Sequence, residues 1–250
     1  MRKTIVAGNW KMNKSTGDAE DLARGITREL GDFRDVDVVL CPPFTALKVV
    51  SEAISDTVVR LGAQNMHWEN SGAYTGEISA GMLRDLYCRF VVLGHSERRT
   101  YFHETDVTVN RKVQAALQAT LIPIVCVGET LDERDGGRAE EVVRRQVQGS
   151  LADIGDAVKD LIVAYEPVWA IGTGQTATPE QAQDMHAFIR GVIAEIAGDG
   201  VAKALRIQYG GSVKPDNAAE LFQKPDIDGG LIGGAALDVR SFVEIVRAGA

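Results

Sequence analysis

A glutamate and a histidine each stand at the end of a short apolar segment, where a strand of a buried sheet would stop. Glu166 follows residues 161–165, and His95 follows residues 90–94 and precedes a predicted helix start at residues 96–99. A carboxylate in this position could remove a proton from carbon. The positive end of a helix would keep the histidine neutral, so that it could donate a hydrogen bond to a carbonyl. The alternatives are an ordinary solvated carboxylate and a structural histidine.

Two glycine-rich turns and a lysine could hold an anion. The Gly-Gly-Ser of residues 210–212 and the Gly-Gly of residues 233–234 follow two further apolar segments, and glycine lets backbone N–H groups converge on a phosphate. Lys11 could neutralise the same anion. The alternatives are tight turns without a ligand and a solvated lysine. Together, a base, an electrophile, a cation and a phosphate site predict proton abstraction beside the carbonyl of a small phosphorylated substrate.

The segment after Glu166 has the composition of a lid. Residues 167–174 begin with a proline, continue with an apolar stretch that contains Trp169, and end in Gly-Thr-Gly. Proline fixes one end and the glycines give a flexible return, so these residues could close over a substrate and exclude water.

Eight short apolar or β-branched segments alternate with segments of helical spacing. One apolar stripe of helical spacing runs through residues 19–30 and another includes Val107, Val113 and Leu117, and Thr178-Pro179-Glu180 predicts a helix start. The predicted strands cover residues 4–8, 36–41, 58–63, 90–94, 122–127, 161–165, 205–209 and 230–232. This alternation predicts an α/β fold of the (β/α)8 barrel type, with eight parallel strands inside a ring of helices, as a single domain over residues 1–250. A doubly wound open sheet is the alternative, although no Gly-x-Gly-x-x-Gly follows the first strand. In a barrel the carboxyl ends of all strands share one face, which would bring the polar residues above together in an enzyme.

The overall composition limits the possible partners and the compartment. Net charge is −8, from 27 Lys and Arg against 35 Asp and Glu, which argues against nucleic acid and anionic membranes as partners. The three cysteines lack CxxC spacing, so we expect a reducing compartment, and no segment has the character of a signal peptide or a membrane span. The four histidines are scattered without metal-ligand spacing, so no metal is expected.

The chain closely resembles the triosephosphate isomerase family from about Arg2 to its last helix. The motifs that carry the resemblance are Gly8-Asn9-Trp10-Lys11-Met12-Asn13, Gly72-Ala73-Tyr74-Thr75-Gly76-Glu77, Leu93-Gly94-His95-Ser96-Glu97-Arg98-Arg99, residues 165–174 from Tyr165-Glu166-Pro167 to the Gly-Thr-Gly, and Tyr209-Gly210-Gly211-Ser212-Val213. The resemblance implies a TIM barrel that interconverts dihydroxyacetone phosphate and D-glyceraldehyde 3-phosphate, without a cofactor, in glycolysis and gluconeogenesis in the cytoplasm.

The resemblance also implies a role for particular residues. Glu166 is the base that moves a proton between two carbons, and His95 is the neutral electrophile on the enediolate oxygens; this enzyme is also a standard illustration of both roles. Lys11 and Asn9 lie against the substrate, where Lys11 supplies positive charge. Ser96 and Glu97 support that wall of the site, and the donors to the phosphate come from Gly172, Ser212, Gly233 and Gly234.

Members of the family are usually homodimers, which implies an interface here. Residues 64–77 match the family's long third loop, whose tip around Thr75 enters the partner beside its active site, and a polar and aromatic loop of this length is hard to explain in a monomer. Two other functions stay open on the residues alone. One is another phosphosugar barrel enzyme such as an epimerase, and the other is a binding protein without catalytic activity on the same fold.

Overall fold

The computed structural model describes residues 2–171 and 176–250, and in these residues the strands form one closed parallel barrel. Each strand pairs with the next along the chain, and β1 pairs with β8. The strands are β1 (Ile5–Asn9), β2 (Asp37–Cys41), β3 (Arg60–Ala63), β4 (Phe90–Leu93), β5 (Ile122–Val127), β6 (Ile162–Tyr165), β7 (Arg206–Tyr209) and β8 (Gly229–Ile232). The predicted barrel and its eight strands are confirmed, with ends that differ by one or two residues, and the open-sheet alternative is wrong.

The strands are apolar throughout because both of their faces are covered. One set of side chains, which includes Ile5, Val92 and Leu231, fills the barrel interior. The alternate set, which includes Val6 and Val91, packs outward against the helices in the larger core. Burial on both faces explains why these segments show no apolar–polar alternation in the sequence.

The helices surround the barrel between consecutive strands. Their bounds are α1 (Thr16–Leu30), α2 (Leu47–Ala53), α3 (Ala80–Asp85), α4 (Ser96–Tyr101), α5 (Asp106–Gln118), α6 (Leu131–Asp135), α7 (Ala139–Ser150), α8 (Pro179–Ala197), α9 (Asp199–Ala204), α10 (Ala218–Phe222) and α11 (Val239–Arg247). Short 3₁₀ turns cover Phe44–Ala46, Gly155–Asp160, Val168–Ala170 and Gly234–Leu237. Within the described residues, no helix is both long enough and apolar enough to cross a membrane.

Local sequence signals fix where the longer helices begin. The hydroxyl of Thr178 accepts a hydrogen bond from the N–H of Gln181, and Pro179 occupies the first turn of α8, as its sequence predicts. The apolar stripe predicted for α1 is buried as expected. In α5 the stripe is shifted, because Val107 is 62% exposed while Val109 and Val113 are buried.

The register of the barrel aligns the carboxyl ends of its strands. Asn9 lies opposite Cys41 in the β1–β2 pair, and Tyr165 lies opposite both Val127 and Tyr209 in β5 and β7. Residues that follow these positions are therefore neighbours in space, however far apart they are in the chain.

Candidate active site

A cavity of about 650 Å³ opens at the carboxyl ends of the strands and brings most of the predicted site residues together. Its lining includes Asn9, Lys11, His95, Glu166, Ser212, Gly233 and Gly234. Ser96 and Glu97 stand behind it at the start of α4. Gly172 lies outside the described residues. The polar groups that the sequence distributes over five strand ends thus share one concave site.

Glu166 is a buried carboxylate with two hydrogen-bond partners. It is 1% exposed, its Oε2 accepts from the backbone N–H of Ser96 at 2.8 Å, and its Oε1 lies 2.8 Å from Nε2 of His95. Its own backbone N–H continues the β5–β6 ladder by donating to the carbonyl of Val127 at 2.8 Å. The solvated strand-end glutamate considered above is therefore excluded.

Two glycines make room for Glu166. A Cβ at position 128 would lie 1.7 Å from the carbonyl oxygen of Glu166, and a Cβ at position 210 would lie 2.8 Å from its Cγ. Any side chain at Gly128 would push this strand end away from its neighbour. Gly128 is in turn held by Gln146, whose amide bonds its N–H at 2.7 Å and its carbonyl at 3.0 Å. No local pattern in the sequence indicates this role for Gln146, which lies within α7.

His95 caps the helix that follows it, and this contact determines its tautomer. Its Nδ1 accepts a hydrogen bond from the N–H of Glu97 at 3.2 Å, so Nδ1 carries no proton. In a neutral ring the hydrogen is therefore on Nε2, the atom that faces Glu166. The prediction that His95 stands at a helix N-terminus is confirmed.

The carboxylate and the imidazole change each other's pKa. Burial acts to raise the pKa of Glu166, but the His95 ring and the Ser96 N–H outweigh it, and the pKa is lowered. Burial acts to lower the pKa of His95, but the Glu166 carboxylate outweighs it, and the pKa is raised. The rise at His95 depends on the Glu166 contact. When that contact is broken, burial and the helix N-terminus favour the neutral ring.

Lys11 is held in a strained backbone conformation beside the cavity. Its φ is 52°, in the left-handed region that residues with a Cβ disfavour. Its N–H donates to Oδ1 of Asn9 at 3.0 Å, and its Nζ lies 2.6 Å from Oε1 of Glu97. A Cβ built at Gly233 would lie 3.5 Å from Cε of Lys11, so the lysine chain passes beside the glycine turn.

The glycine turns after β7 and β8 line the far side of the cavity. The 3₁₀ turn Gly234–Leu237 begins directly after Gly233, whereas the helix after Ser212 begins only at Ala218. The intervening loop is ordered by Asn217, whose side chain donates to the carbonyl of Ser212 at 3.0 Å. Lys214 of this loop also lines the cavity, and the sequence analysis did not single it out.

A buried carboxylate that the sequence analysis left without a role anchors the start of the predicted lid. Oε1 of Glu129 accepts from Trp169 Nε1 at 2.8 Å, from the Tyr165 hydroxyl at 3.0 Å and from Arg134 at 3.0 Å. The Arg134 guanidinium also lies 4.8 Å from the centre of the Trp169 ring. The one sequence signal for a role of Glu129 is its position just after a predicted strand.

A larger cavity of about 1120 Å³ lies on the opposite face, near the amino ends of β3 to β5, and contains none of these residues. We place the active site in the smaller cavity, because the chemistry of a parallel barrel belongs to the carboxyl ends of its strands. Among the residues the structure describes, no group of three or more His, Cys, Asp or Glu is arranged to hold a metal ion.

The closed barrel and the polar groups at its carboxyl face define a (β/α)8-barrel enzyme. The family model described as triosephosphate isomerase matches residues 4–249. The chain is 55% identical over 249 residues to the triosephosphate isomerase of Chloroherpeton thalassium and 56% identical over 249 residues to that of Moorella thermoacetica, covering 99% of both chains in each case. It is 53% identical to the Chloroflexus aurantiacus enzyme of the same name over 248 residues, again 99% of both chains. The chain belongs to the triosephosphate isomerase family.

Proposed function

We propose that this protein interconverts dihydroxyacetone phosphate and D-glyceraldehyde 3-phosphate by proton transfer through an enediolate, without a cofactor, in glycolysis and gluconeogenesis. The observation that carries the mechanism is the contact between Oε1 of Glu166 and Nε2 of His95 at 2.8 Å, inside a cavity that also contains Lys11. A carboxylate, an imidazole and a cation around one small cavity are the groups that proton abstraction beside a carbonyl requires.

Glu166 is the base. Its low pKa keeps it ionised at neutral pH, and it removes a proton from one substrate carbon and returns it to the neighbouring carbon. To reach the substrate, the carboxylate exchanges at least one of its present partners, the Ser96 N–H or the His95 ring, for the substrate C–H. Each partner makes a single hydrogen bond to the carboxylate, and such a bond contributes about 1 to 3 kcal/mol. The binding energy of a substrate can therefore break one of them.

His95 is the electrophile on the substrate oxygens. Once Glu166 leaves Nε2, the protonated Nε2 of the neutral ring can donate to the carbonyl and then to the enediolate oxygens. The bond from the Glu97 N–H to Nδ1 keeps the ring in this tautomer and orientation. A neutral donor suits this role, because its Nε2–H can give a proton to one substrate oxygen and take up the proton of the other, so the ring is neutral again after each transfer.

Lys11 and Asn9 bind the substrate, and backbone donors at Gly172, Ser212, Gly233 and Gly234 bind its phosphate. Lys11 adds positive charge in a chain whose net charge is −8. Glu97 holds the Lys11 ammonium at 2.6 Å, and Ser96 supplies its N–H to the base, so both support the site without reaching the substrate.

Residues 167–174 form the lid that excludes water from the enediolate. The described part, up to Ile171, contains the 3₁₀ turn Val168–Ala170, and Glu129 anchors this turn through Trp169. The anchor gives the lid a defined position from which to close.

The reaction is tested by a coupled assay with D-glyceraldehyde 3-phosphate. We expect fast turnover by the wild type, and a kcat lowered roughly 10²- to 10⁴-fold in Glu166→Gln with a much smaller change in KM, because base catalysis acts in the transition state. Glu220→Gln, at an exposed position of α10, is the matched control and keeps full activity. Near wild-type kcat in Glu166→Gln would reject the assigned base, and a folded wild type without turnover would favour the binding-protein alternative.

We further propose a homodimer formed through residues 64–77. Residues 69–77 of this loop are exposed, including Tyr74 and Thr75. Exposed apolar side chains also follow two other strands on this side of the barrel, with Met12 95% exposed after β1 and Tyr101 71% exposed after β4. An apolar surface of this kind is typical of a protein–protein interface.

We place the protein in the cytoplasm. Cys41, Cys88 and Cys126 are all free and buried, which suits a reducing compartment. Detection of the activity in the cytoplasmic fraction of its cells would test this assignment.

A further inference from the structure

Lys11 adopts a backbone conformation that its own residue type does not favour, so the surrounding structure must hold it. Its φ of 52° is one of few positive values at residues with a Cβ, and such strain persists only where neighbouring groups over-determine the conformation. Trp10, the residue before it, is fully buried and donates its N–H to the carbonyl of Cys41 at 3.1 Å. The chain therefore leaves the β1–β2 ladder abruptly at Lys11.

The side-chain amide of Gln64 spans this point of departure. Its Nε2 donates to the carbonyl of Lys11 at 2.8 Å and to the carbonyl of Cys41 at 2.9 Å. Both partners are backbone carbonyls, which only accept, so the amide nitrogen must be the atom that faces them. The two hydrogens of one –NH₂ group thus tie the carbonyl of Lys11 to the last residue of β2.

We infer that Gln64 is a positioning residue for Lys11: its amide holds the strained turn that keeps the lysine ammonium at the wall of the active site. The inference rests on the proposed function, because Lys11 is assigned to the substrate there. The N–H of Lys11 is fixed by Asn9 and its Nζ by Glu97, and Gln64 fixes the carbonyl between them. Without Gln64 the carbonyl has no hydrogen-bond partner in the described part of the chain to oppose relaxation of φ toward negative values, and such relaxation would move the whole lysine side chain.

The chemistry requires glutamine at this position. A carboxylate of the same length has no hydrogen to donate and would place negative charge against two carbonyl oxygens. Methionine has a similar length but no donor, and asparagine is one carbon shorter. Gln64→Met and Gln64→Glu should therefore both lower kcat/KM, and Gln64→Glu should lower it more.

The test is a double-mutant cycle that combines Gln64→Met with Lys11→Ala. We expect Gln64→Met alone to lower kcat/KM roughly tenfold, mostly through KM, because displacement of a binding group by about an ångström has effects of this order or larger. In the Lys11→Ala background, assayed at raised enzyme concentration, Gln64→Met should have no further effect. Gln114→Met is the matched control, since it removes a half-buried amide of α5 whose hydrogen-bond partner among the described residues is Asn110, and it keeps wild-type kinetics.

An equal loss from Gln64→Met in both backgrounds would overturn the inference, because a general structural role, including loss of a dimer, does not depend on the lysine. An unchanged kcat/KM in Gln64→Met would also overturn it. Binding of inorganic phosphate, measured by calorimetry on the same variants, separates this result from the proposed function. If the wild type binds phosphate without isomerising triose phosphates, the proposed function fails. The positioning role is still supported in that case if Gln64→Met weakens phosphate binding in the wild-type background but not in the Lys11→Ala background.

Discussion

Two buried histidines show how contacts decide what a residue type can do. His95 has a backbone donor on Nδ1 and the Glu166 carboxylate on Nε2, at the edge of a cavity. His186 is completely buried, its Nδ1 lies 3.2 Å from the carbonyl of Asp226, and its Nε2 has no hydrogen-bond partner among the described residues. Its ring packs edge-on against Tyr165 at 5.8 Å between centroids. Of these two histidines, His95 is the one that lines the cavity where a substrate could reach it.

His186 should instead make the fold sensitive to acid. Burial lowers the pKa of His186 to about 3, whereas its ordinary value in an unfolded chain is about 6.5. Between these two values the unfolded chain binds a proton that the native state does not, so stability falls as the pH falls from 6.5 toward 3. The full difference corresponds to roughly 4 to 5 kcal/mol. We expect His186→Gln, which does not titrate, to be less stable than the wild type at pH 7.5.

Urea unfolding at pH 7.5 and pH 5 measures this effect. The deficit of His186→Gln relative to the wild type should shrink at pH 5, because only the wild type carries the histidine penalty. A deficit of equal size at both pH values would show that His186 does not contribute to the acid sensitivity.

At the scale of elements, the end of β6 and the first residues of the proposed lid form one unit with the loop after β5. The backbone N–H of Val168 donates to the carbonyl of Glu129 at 3.1 Å. The Glu129 carboxylate accepts hydrogen bonds from the indole N–H of Trp169 and the hydroxyl of Tyr165. Burial raises the pKa of Tyr165, and the Glu129 carboxylate raises it further. The hydroxyl therefore remains protonated, and a donor, at all working pH values. The lid therefore starts from a rigid strand end.

Glu129→Gln should loosen this unit without removing the base. An amide oxygen can still accept hydrogen bonds, but the charge-assisted bonds become neutral and Arg134 loses its ion pair. We expect a loss of roughly 1 to 3 kcal/mol in unfolding free energy and a fall in kcat that stays well below that of Glu166→Gln. Thermal unfolding and steady-state kinetics measure the two effects, with the exposed Glu141→Gln as control. A melting temperature equal to that of the wild type would show that the Glu129 contacts do not stabilise the fold.

At the scale of the whole molecule, the exposed groups of the first four loops are the basis for a dimer. The strands β1 to β4 are consecutive neighbours in the barrel, so the loops after them form one continuous edge. Inside the third of these loops, the ring centroids of His67 and Tyr74 lie 4.5 Å apart with the planes tilted by 42°, and the guanidinium of Arg111 lies 5.6 Å from the Trp68 ring. These contacts order the loop, while Tyr74 and Thr75 at its tip remain exposed.

Thr75→Arg should separate the two chains. An arginine at the tip would place a bulky charge where the partner is expected, and burying an unpaired charge is costly. Sedimentation equilibrium should then report a mass near 27.0 kDa for the variant and twice that mass for the wild type. Ile196→Arg is the control, because Ile196 is exposed on α8, away from these loops, and its substitution keeps the dimer. A dimeric Thr75→Arg would exclude the tip from the interface.

Much of the fold, and many of the residues that meet in the candidate site, could be predicted from the sequence, because the signals involved are local. Apolar segments of three to six residues predict buried parallel strands, and a threonine before Pro179 predicts the start of α8. Strand ends then indicated Glu166, His95 and Lys11. In α5 the buried apolar residues differ from the predicted stripe. The orientation of a helix against the barrel decides which of its apolar residues are buried, and local spacing does not specify that orientation.

The contacts that adjust the site could not be predicted, because each joins segments that only closure of the barrel brings together. Glu166 forms a hydrogen bond with Ser96, which is 70 residues away along the chain, and Gln64 forms one with Lys11, which is 53 residues away. Periodicity and turn signals carry no information about such distances, and side-chain exposure follows from register and packing rather than from residue type. The sequence by itself determined the alternation of strands and helices, the strand ends to within two residues, and the chemical groups available. The tertiary structure decided that the carboxylate is buried against the imidazole, that Glu129 holds the start of the lid, and that an amide supports the strained lysine, because these depend on which strand ends the closed barrel makes neighbours.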